Sequence, residues 1–222
     1  MSGPPAEAEP LIDEAVAGRA IERALARGGD FAEVFCEERA GFSISIDESR
    51  VERPQSGRER GAGIRVVTGE STRYAHVDGL GEDDLLRAAE ALAAAQEGEA
   101  TEPLPVKAAE PPELQEIKVD PASVPAERKA DLLRELDERA RSAGSDVAQV
   151  SASYSEGRRR VAVANSEGLE ATDDRTRVRL GAQVVARRNG SVETGVETLG
   201  AHRGFELLED DPARIAGQAA RK

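Results

Sequence analysis

Few side chains in this sequence are of the types that bind metals or act as nucleophiles. There are two histidines, His76 and His202, and one cysteine, Cys36. A hydrolytic metal site usually needs two or three ligands that converge on one ion, and neither histidine is followed by glutamate as in a zinc-protease helix. We predict that both histidines lie on strands as surface or packing residues, the alternative being that they meet across a pseudo-twofold axis. Cys36 is predicted to be a buried strand residue.

The other candidate groups carry little chemical information. Glu48 with Glu52, or Asp173 with Asp174, could act as an acid and a base, but the 43 acidic residues make such pairs common. Three serines at predicted turns lack the context of a nucleophile elbow. They are Ser56, Ser166 and Ser191. The residues alone therefore predict a scaffold with no catalytic, cofactor-binding or metal-binding residue.

Two clusters allow a second interpretation. Gly57, Gly61 and Gly63 punctuate a predicted strand, and we interpret them as turn or bulge residues. A phosphate-binding loop is the alternative, but such a loop ends in Gly-Lys-Ser/Thr and is followed by a helix. The run Arg158–Arg160 precedes another predicted strand. We interpret it as a solvated strand entry, with a contact to an anion or a partner as the alternative.

The composition restricts the classes of protein to which the chain can belong. Its 222 residues carry a formal net charge of −13, with a pI near 4.8, which disfavours binding to nucleic-acid phosphates. A single cysteine is consistent with a reducing cytoplasm. The first ten residues lack the basic start and apolar run of a signal peptide, and no apolar stretch approaches the roughly 20 residues that span a bilayer. We therefore expect a cytoplasmic protein that binds neither membranes nor nucleic acids.

An internal repeat organises the elements that would position these residues. Residues 29–34 resemble residues 145–150, and the strand and turn pattern of residues 43–67 recurs in residues 160–185. Apolar and polar residues alternate in both copies, which indicates half-buried strands. An acidic segment that begins a helical pattern follows each copy. The repeat predicts an α+β fold of two helix–β-hairpins–helix units with antiparallel or mixed sheets.

The repeat also sets the predicted domain boundaries. We expect a disordered arm over residues 1–10, a first α+β repeat over residues 11–96, and a second repeat over residues 126–222. Between the repeats, residues 97–125 form a linker or crossover rich in Pro and Glu, with one short strand at Glu116–Val119.

Short local signals mark several turns and helix ends. Gly28-Gly29 is predicted to end the first helix, because glycine accepts the left-handed conformation found there. Asn189-Gly190 predicts a two-residue hairpin. Asp211 is predicted to cap a last helix that continues to the end of the chain, so we expect the sequence to be truncated.

Several of these segments resemble the TldD/PmbA family. The resemblance rests on the runs Gly29–Val34, Ser56–Val67 and Val163–Leu169, the last followed by Asp174-Arg175, while Gly204–Leu207 is most similar to the TldD branch. It implies a cytoplasmic zinc metalloprotease that cleaves peptides or unfolded proteins and works as a pair of related subunits, homo- or heterodimeric. The family has also been linked to peptide-antibiotic maturation and, under an older name, to gyrase modulation.

The resemblance extends over about residues 12–222 and stops before the family's metal-binding helix. That helix carries a His-Glu-x-x-x-His motif in a C-terminal domain, and none of its residues maps onto a position of this chain. We therefore expect the N-terminal scaffold or substrate-chamber portion of a TldD-type protease, inactive by itself, with zinc in the missing domain. The alternative is a non-catalytic partner or binding subunit. A nucleic-acid modulator is disfavoured by the acidic charge and the scarce aromatic residues.

Overall fold

The computed structural model describes residues 9–109, 116–209 and 212–220. Within this part, the chain forms two compact units. Unit 1 contains residues 9–39, 58–109 and 159–174, and unit 2 contains residues 40–57, 116–158, 175–209 and 212–220. Each unit therefore combines segments that are distant in the sequence, and several long strands contribute residues to both units.

Helices and strands occur in both units. The α-helices are α1 (Glu14–Ala24), α2 (Glu82–Ala94), α3 (Ala126–Arg141) and α4 (Pro212–Ala219). The strands are β1 (Phe31–Asp47), β2 (Arg50–Val51), β3 (Gln55–Thr68), β4 (Ser71–Asp78), β5 (Lys107–Ala108), β6 (Val147–Asn165), β7 (Leu169–Arg188) and β8 (Ser191–Ala201). Short 3₁₀ helices cover Pro121–Ser123 and Phe205–Leu208. The predicted α+β class is confirmed.

In unit 1 the strands lie in the order β4-β3-β1-β6-β7-β5. Strands β3 and β4 form an antiparallel hairpin that closes between Thr68 and Ser71, where Gly69 has a φ of 56°. Glycine suits this turn because it has no β-carbon to clash in the left-handed region. Strand β5 pairs with the start of β7 in parallel, so the sheet of unit 1 is mixed.

Helices α1 and α2 cover one face of the unit 1 sheet. Side chains alternate along β1, so that Ala32, Val34 and Cys36 are buried in the core while their neighbours belong to the opposite face. The buried cluster of this unit consists of Ala, Val, Leu, Ile and Cys side chains. Helix α1 begins after Asp13, whose carboxylate accepts a hydrogen bond from the N–H of Ala15 at 2.8 Å. This bond satisfies one of the free donors at the helix start.

The end of α1 differs from the prediction. The helix ends at Ala24, before the Gly28-Gly29 pair, and the two glycines form the connection to β1 with φ values of 107° and 122°. A β-carbon on Gly29 would lie 2.7 Å from the Leu25 side chain and 2.9 Å from that of Val66. Glycine is required here because both the conformation and the packing exclude a side chain.

In unit 2 the strand order is β2-β1-β6-β7-β8, and α3 and α4 pack on one face of this sheet. The hairpin of β7 and β8 closes between Arg188 and Ser191. Asn189 and Gly190 have φ values of 49° and 82°, as a type I′ turn requires, so the predicted hairpin is confirmed. The core of unit 2 contains aromatic side chains, unlike that of unit 1.

The proline-rich segment between the predicted repeats is tied to the strands of unit 1. The N–H groups of Leu104 and Lys107 donate to the carbonyls of Ser166 and Gly168 at 2.9 and 2.8 Å. These bonds continue into β5. The predicted strand at Glu116–Val119 is wrong, because these residues adopt coil and bend conformations. Prolines in this segment did not prevent strand formation, since they flank β5 instead of lying within it.

The predicted domain boundaries stay predictions. They divide the chain into residues 11–96, 97–125 and 126–222. The superposition of the two repeats is also still a prediction. Residues 1–8 of the predicted arm and the predicted cap Asp211 lie outside the described residues. Among the described residues, α4 ends at Ala219, and no helix is both long and apolar enough to cross a membrane.

Candidate functional site

The two histidines lie on different units. His76 is exposed on β4 of unit 1, and His202 is exposed in a bend just after β8 of unit 2, so the prediction that both lie on strands is wrong for His202. Within residues 9–109, 116–209 and 212–220, no three His, Cys, Asp or Glu side chains are placed to hold a metal ion. These residues therefore do not fit the zinc site that the family resemblance implies. That the chain carries no catalytic residue stays a prediction.

Cys36 is buried in the core of unit 1, as predicted. Burial raises the pKa of its thiol to about 11, because the charged thiolate loses its hydration. The thiol is therefore protonated at neutral pH and is a poor nucleophile.

Among the candidate carboxylates, Glu52 and Asp174 have described local partners. Glu48 lies in the turn between β1 and β2 with a φ of 44°, and Glu52 accepts a hydrogen bond from the hydroxyl of Ser45. Asp174 lies 3.9 Å from Nε of Arg160. These contacts explain the carboxylates as parts of the turn and of the sheet surface, and give no geometry for an acid and a base.

The arginine run lies within β6 and does not precede it. Arg159 pairs with Glu37 on β1, and Nη1 of Arg160 lies 3.8 Å from Oε1 of Glu38. Burial raises the pKa of Glu37, but hydrogen bonds from Arg159 and Arg39 outweigh this effect and lower it overall. The predicted strand entry is therefore wrong, because the run lies within β6. The Arg159 side chain is 48% exposed, as a solvated position requires, whereas that of Arg160 is 19% exposed and lies near the carboxylates of β1.

Ser166 has a structural role that the sequence did not reveal. Its Oγ accepts a hydrogen bond from the N–H of Ala32 at 3.0 Å, and its own N–H donates to the carbonyl of Ala32 at 2.8 Å. The preceding Asn165 accepts hydrogen bonds from the N–H groups of Glu167 and Leu169. The side chains of Asn165 and Ser166 therefore both stabilise this turn by hydrogen bonds. Of the other two candidates, Ser56 lies within β3 and Ser191 begins β8.

A polar groove lies on the face of the unit 2 sheet opposite to its helices. It has a volume of about 400 Å³. Its lining residues alternate along the strands with core residues such as Ile46, Ala152 and Ala182, so the period of two assigns them to the other face. Small and hydroxyl side chains predominate in this lining. They include Ser45, Ser151, Ser153, Gly181 and Thr198.

Asp47 is the best-anchored carboxylate of this groove. It accepts hydrogen bonds from the hydroxyl of Ser151 at 2.5 Å and from Nε2 of Gln149 at 3.2 Å. These two donors lower the pKa of Asp47, because they favour its charged form. Asp47 therefore places a negative charge in the groove at neutral pH, and the same lining contains the positive side chain of Arg179.

Strand β8 borders the groove and forms the edge of the unit 2 sheet. Its register places Thr198 opposite Gly181 and Val196 opposite Gln183, so these β8 side chains share the groove face. Among the described strands, only β7 pairs with it. The side chains of Val192 and Val196 are 59% and 52% exposed. The strand also lacks Lys and Pro, the residues that often protect an edge from pairing.

An edge of this kind can bind an extended peptide. The outward N–H and C=O groups of an edge strand can hydrogen-bond to the main chain of a peptide, and alternate peptide side chains then fall on the groove face. Main-chain bonds give affinity with little dependence on the peptide sequence. The exposed valines add apolar contact area on the same face.

Sequence comparisons place both halves of the chain in one family. The family described as "PmbA/TldA metallopeptidase domain 1" matches residues 32–95, and "PmbA/TldA metallopeptidase central domain" matches residues 119–222. A metalloprotease TldD homolog from Haemophilus influenzae is 28% identical over 193 residues, which cover 83% of this chain and 40% of that protein. The chain thus spans about two fifths of the length of this curated relative.

Solved structures have the same fold. A structure from Bacteroides thetaiotaomicron, titled as a candidate modulator of DNA gyrase, aligns with a TM-score of 0.73 at 16% identity and covers 96% of this chain and 50% of that chain. TldE from Thermococcus kodakarensis aligns with a TM-score of 0.63 at 17% identity, covering 87% and 44%. At these identities the likeness concerns the fold alone. From the two domain matches, the chain belongs to the TldD/PmbA family and contains that family's domain 1 and central domain.

Proposed function

We propose that this chain is the substrate-holding portion of a TldD-type zinc metalloprotease that cleaves peptides or unfolded proteins in the cytoplasm. The observation that carries the proposal is the position of β8 at the edge of the described sheet of unit 2, beside the polar groove. In this proposal a C-terminal domain outside the 222 residues would hold the zinc, which would supply Lewis-acid chemistry to a peptide carbonyl and to water. A second, related subunit completes the enzyme.

The residues of unit 2 would bind the substrate in an extended conformation. A peptide strand would add beside β8, which pairs with β7 alone among the described strands, and its groove-side residues would contact Val192 and Thr198. Only an unfolded segment can offer its main chain in this way. The site therefore selects peptides and unfolded proteins over folded ones, and it tolerates many sequences.

The binding experiment compares edge variants with a matched surface control. Fluorescence anisotropy measures the affinity of the 222-residue chain for a labelled, unstructured peptide rich in Val and Thr. A lysine at an edge strand opposes pairing, so we expect Val192→Lys and Val196→Lys each to weaken binding roughly tenfold, or about 1.4 kcal/mol. Leu104→Lys changes a side chain that is 61% exposed outside β8, and it should bind like the wild type.

Two results would contradict the peptide site. One is a wild-type chain that does not bind the peptide, and the other is an equal loss of affinity in Leu104→Lys. A folded protein of similar size serves as a competitor and should not displace the peptide.

A non-catalytic partner subunit is the second candidate function. It is supported by the lack of fit between the described residues and a zinc ion. The coding sequence separates the two candidates. An open frame that continues into a His-Glu-x-x-x-His motif supports the protease, and a stop codon after Lys222 supports the partner subunit.

A further inference from the structure

Strand β4 lies at an edge of the unit 1 sheet. Among the described strands it pairs with β3 alone. Its residues include neither Lys nor Pro, which often protect an edge from pairing. The one arginine of the strand, Arg73, lies opposite the buried Val66 and therefore on the face that the helices cover. The sequence of β4 thus leaves its edge available to another strand.

The register of the β3–β4 hairpin shows which main-chain groups of β4 point away from β3. In an antiparallel pair, every second residue exchanges hydrogen bonds with the partner strand, and the residues between them direct their N–H and C=O groups to the other side. The N–H of Gly79 donates to the carbonyl of Arg60 at 3.0 Å, and the two-residue turn pairs Ser71 with Thr68. Odd-numbered residues therefore bond to β3. The outward groups belong to Thr72, Tyr74, His76 and Asp78.

The side chains of these four residues lie on the face of the sheet that α1 and α2 leave uncovered. They alternate along β4 with Ala75 and Val77, which pack against the buried cluster of unit 1. A strand that added to this edge would therefore meet the main chain and the uncovered side chains of the same residues.

Two of these side chains have no side chain across from them on β3. His76 lies opposite Gly63, and Asp78 lies opposite Gly61. All four residues line a cleft of about 920 Å³ on this face. Cross-strand side-chain pairs stabilise a sheet, so His76 and Asp78 lack on β3 the partner that such a pair requires.

Tyr74 is the large apolar residue of this row. It lies opposite Arg65 on β3, but the Arg65 guanidinium has other contacts. Its Nη2 lies 3.3 Å from Oε1 of Glu33, and its Cζ lies 5.4 Å from the centre of the Phe31 ring. The side chain of Tyr74 is 70% exposed. An aromatic residue on a strand beside β4 would cover this ring, and aromatic pairs are among the favourable cross-strand pairs.

Asp78 is the charged residue of this row. Within the part of the chain that the structure describes, its carboxylate forms no ion pair. A strand added beside β4 would lie about 5 Å from β4 and about 10 Å from β3, a distance over which salt screens charges. The other charged residues of the cleft belong to β1 and β3, so Asp78 is the nearest charge to such a strand and favours a basic residue there. Those residues are Glu37, Arg39, Arg58, Glu59 and Arg60.

We propose that β4 is a docking strand for an extended peptide segment that carries an aromatic residue and, four positions away, a basic residue. The segment adds antiparallel to β4 and bonds to the outward main-chain groups of Tyr74 and His76. Residues two apart on a strand share a face, so an aromatic residue opposite Tyr74 places the basic residue opposite Asp78. The inference rests on unit 1 alone and does not depend on the proposed function.

The binding experiment uses a labelled peptide of the sequence KTVTFTVTK. Fluorescence anisotropy measures its affinity for the 222-residue chain with Val192→Lys, the parent chain, in which the edge of β8 is blocked. We expect the parent chain to bind and Tyr74→Thr to weaken binding roughly fivefold, because the aromatic pair is lost. Leu104→Thr changes an exposed apolar residue outside β4 and should bind like the parent chain.

The charge arm replaces Asp78 in the same parent chain. Asp78→Asn should weaken binding about twofold at low salt and have no effect at high salt, because an exposed ion pair is weak and screened. Asp131→Asn, which changes an exposed aspartate of unit 2, is the matched control and should bind like the parent chain at both salt concentrations.

N-methylated peptides test strand addition without changing the protein. In the antiparallel register, the N–H groups of the third and fifth peptide residues point toward β4, and those of the fourth and sixth point away. Methylation of the third and fifth nitrogens should therefore abolish binding. Methylation of the fourth and sixth nitrogens should leave it unchanged.

Circular dichroism melts confirm that each variant is folded before its affinity is compared. A folded parent chain that does not bind the peptide would overturn the proposal. So would equal binding of the two methylated peptides, or an equal loss of affinity in Tyr74→Thr and Leu104→Thr. Because β8 is blocked in every chain of this experiment, its failure leaves the peptide site proposed at β8 standing.

Discussion

The cores of unit 1 and unit 2 differ in where they place aromatic and charged side chains. In unit 2, Tyr154 and Phe205 are buried, with ring centroids 5.9 Å apart in an edge-to-face arrangement. The aromatic residues of unit 1 lie outside its buried cluster instead, and the ring of Tyr74 is 70% exposed. A buried ring stabilises its own unit, whereas a ring outside the core contributes little to stability. The comparison therefore separates aromatic residues that stabilise a core from those that do not.

Unit 2 also buries an ion pair. Nζ of Lys129 on α3 lies 2.7 Å from Oε2 of Glu156, and the hydroxyl of Tyr154 donates to the same oxygen at 2.5 Å. Lys129 also lies 4.4 Å from the centre of the Phe42 ring, which favours a cation by its negative face. Burial, with the nearby carboxylate of Glu156, raises the pKa of Tyr154, so its hydroxyl remains a donor. The Phe42 ring, the Lys129 cation, the Glu156 carboxylate and the Tyr154 hydroxyl thus form one network in which each polar group has a partner.

The largest expected effect comes from breaking this network on one side. Lys129→Met leaves the Glu156 carboxylate buried without its cation, and we expect a loss of about 3–5 kcal/mol in the free energy of unfolding. Urea denaturation followed by circular dichroism measures it. The exposed Lys107 of unit 1 provides the control, since Lys107→Met should change stability by no more than about 0.5 kcal/mol.

A triple variant sharpens this test. Replacing Lys129, Glu156 and Tyr154 by Met, Leu and Phe removes every polar member at once, so no group is left unsatisfied. We expect it to recover most of the stability lost in Lys129→Met. If the triple variant is as unstable as Lys129→Met, then unit 2 requires the polar network itself. The loss in Lys129→Met would then not be due to the unpaired Glu156 carboxylate.

The second prediction compares one aromatic residue from each unit. Phe205 is only 3% exposed, so Phe205→Ala creates a cavity and should cost about 3–5 kcal/mol. Tyr74→Ala should change the stability of the monomer by no more than about 0.5 kcal/mol, because its ring is mostly in solvent. Thermal melts at low protein concentration measure both. Similar losses in the two variants would remove the distinction between core and exposed aromatic residues.

Local signals in the sequence identified the features that depend on neighbouring residues. The Asn189-Gly190 turn was predictable because its conformation depends on those two residues alone. The alternation of apolar and polar residues along β7 was equally clear in the sequence. The residues that it predicts to be buried are buried, and they are Val178, Leu180, Ala182 and Val184. The class of the fold follows from such signals.

Features that depend on distant residues were not predictable. Nothing near Lys129 shows that it is buried, because its partners Phe42 and Glu156 lie on other segments. The ion pair of Arg159 was equally hidden, because its partner Glu37 lies on β1. The groove beside β8 was missed because hydroxyl and glycine residues on alternating strand positions resemble any solvent-facing surface. Its only signal was the lack of Lys and Pro in an exposed edge strand.

The smallest expected effect concerns how the connecting segment is attached to each unit. Main-chain hydrogen bonds tie its first part to unit 1. In unit 2 a carboxylate adds to a main-chain bond from the N–H of Phe205 to the carbonyl of Val119 at 2.8 Å, since Glu206 accepts from the N–H groups of Val119 and Gly204, each at 3.0 Å. Burial raises the pKa of Glu206, but these and other backbone donors outweigh it and lower the pKa overall. Attachment to unit 2 should therefore depend on pH.

The sign of this dependence follows from the lowered pKa. The stabilisation by Glu206 is fully present above its unfolded value of 4.5 and is lost as the pH falls through the lower folded value. We expect Glu206→Gln to cost about 1 kcal/mol at neutral pH, the net worth of a typical hydrogen bond, and to lose less stability than the wild type on acidification below pH 4.5. Thermal melts over this pH range, with the exposed Glu209→Gln as control, measure the difference. Parallel acid profiles for the wild type and Glu206→Gln would mean that main-chain contacts alone hold the segment in both units.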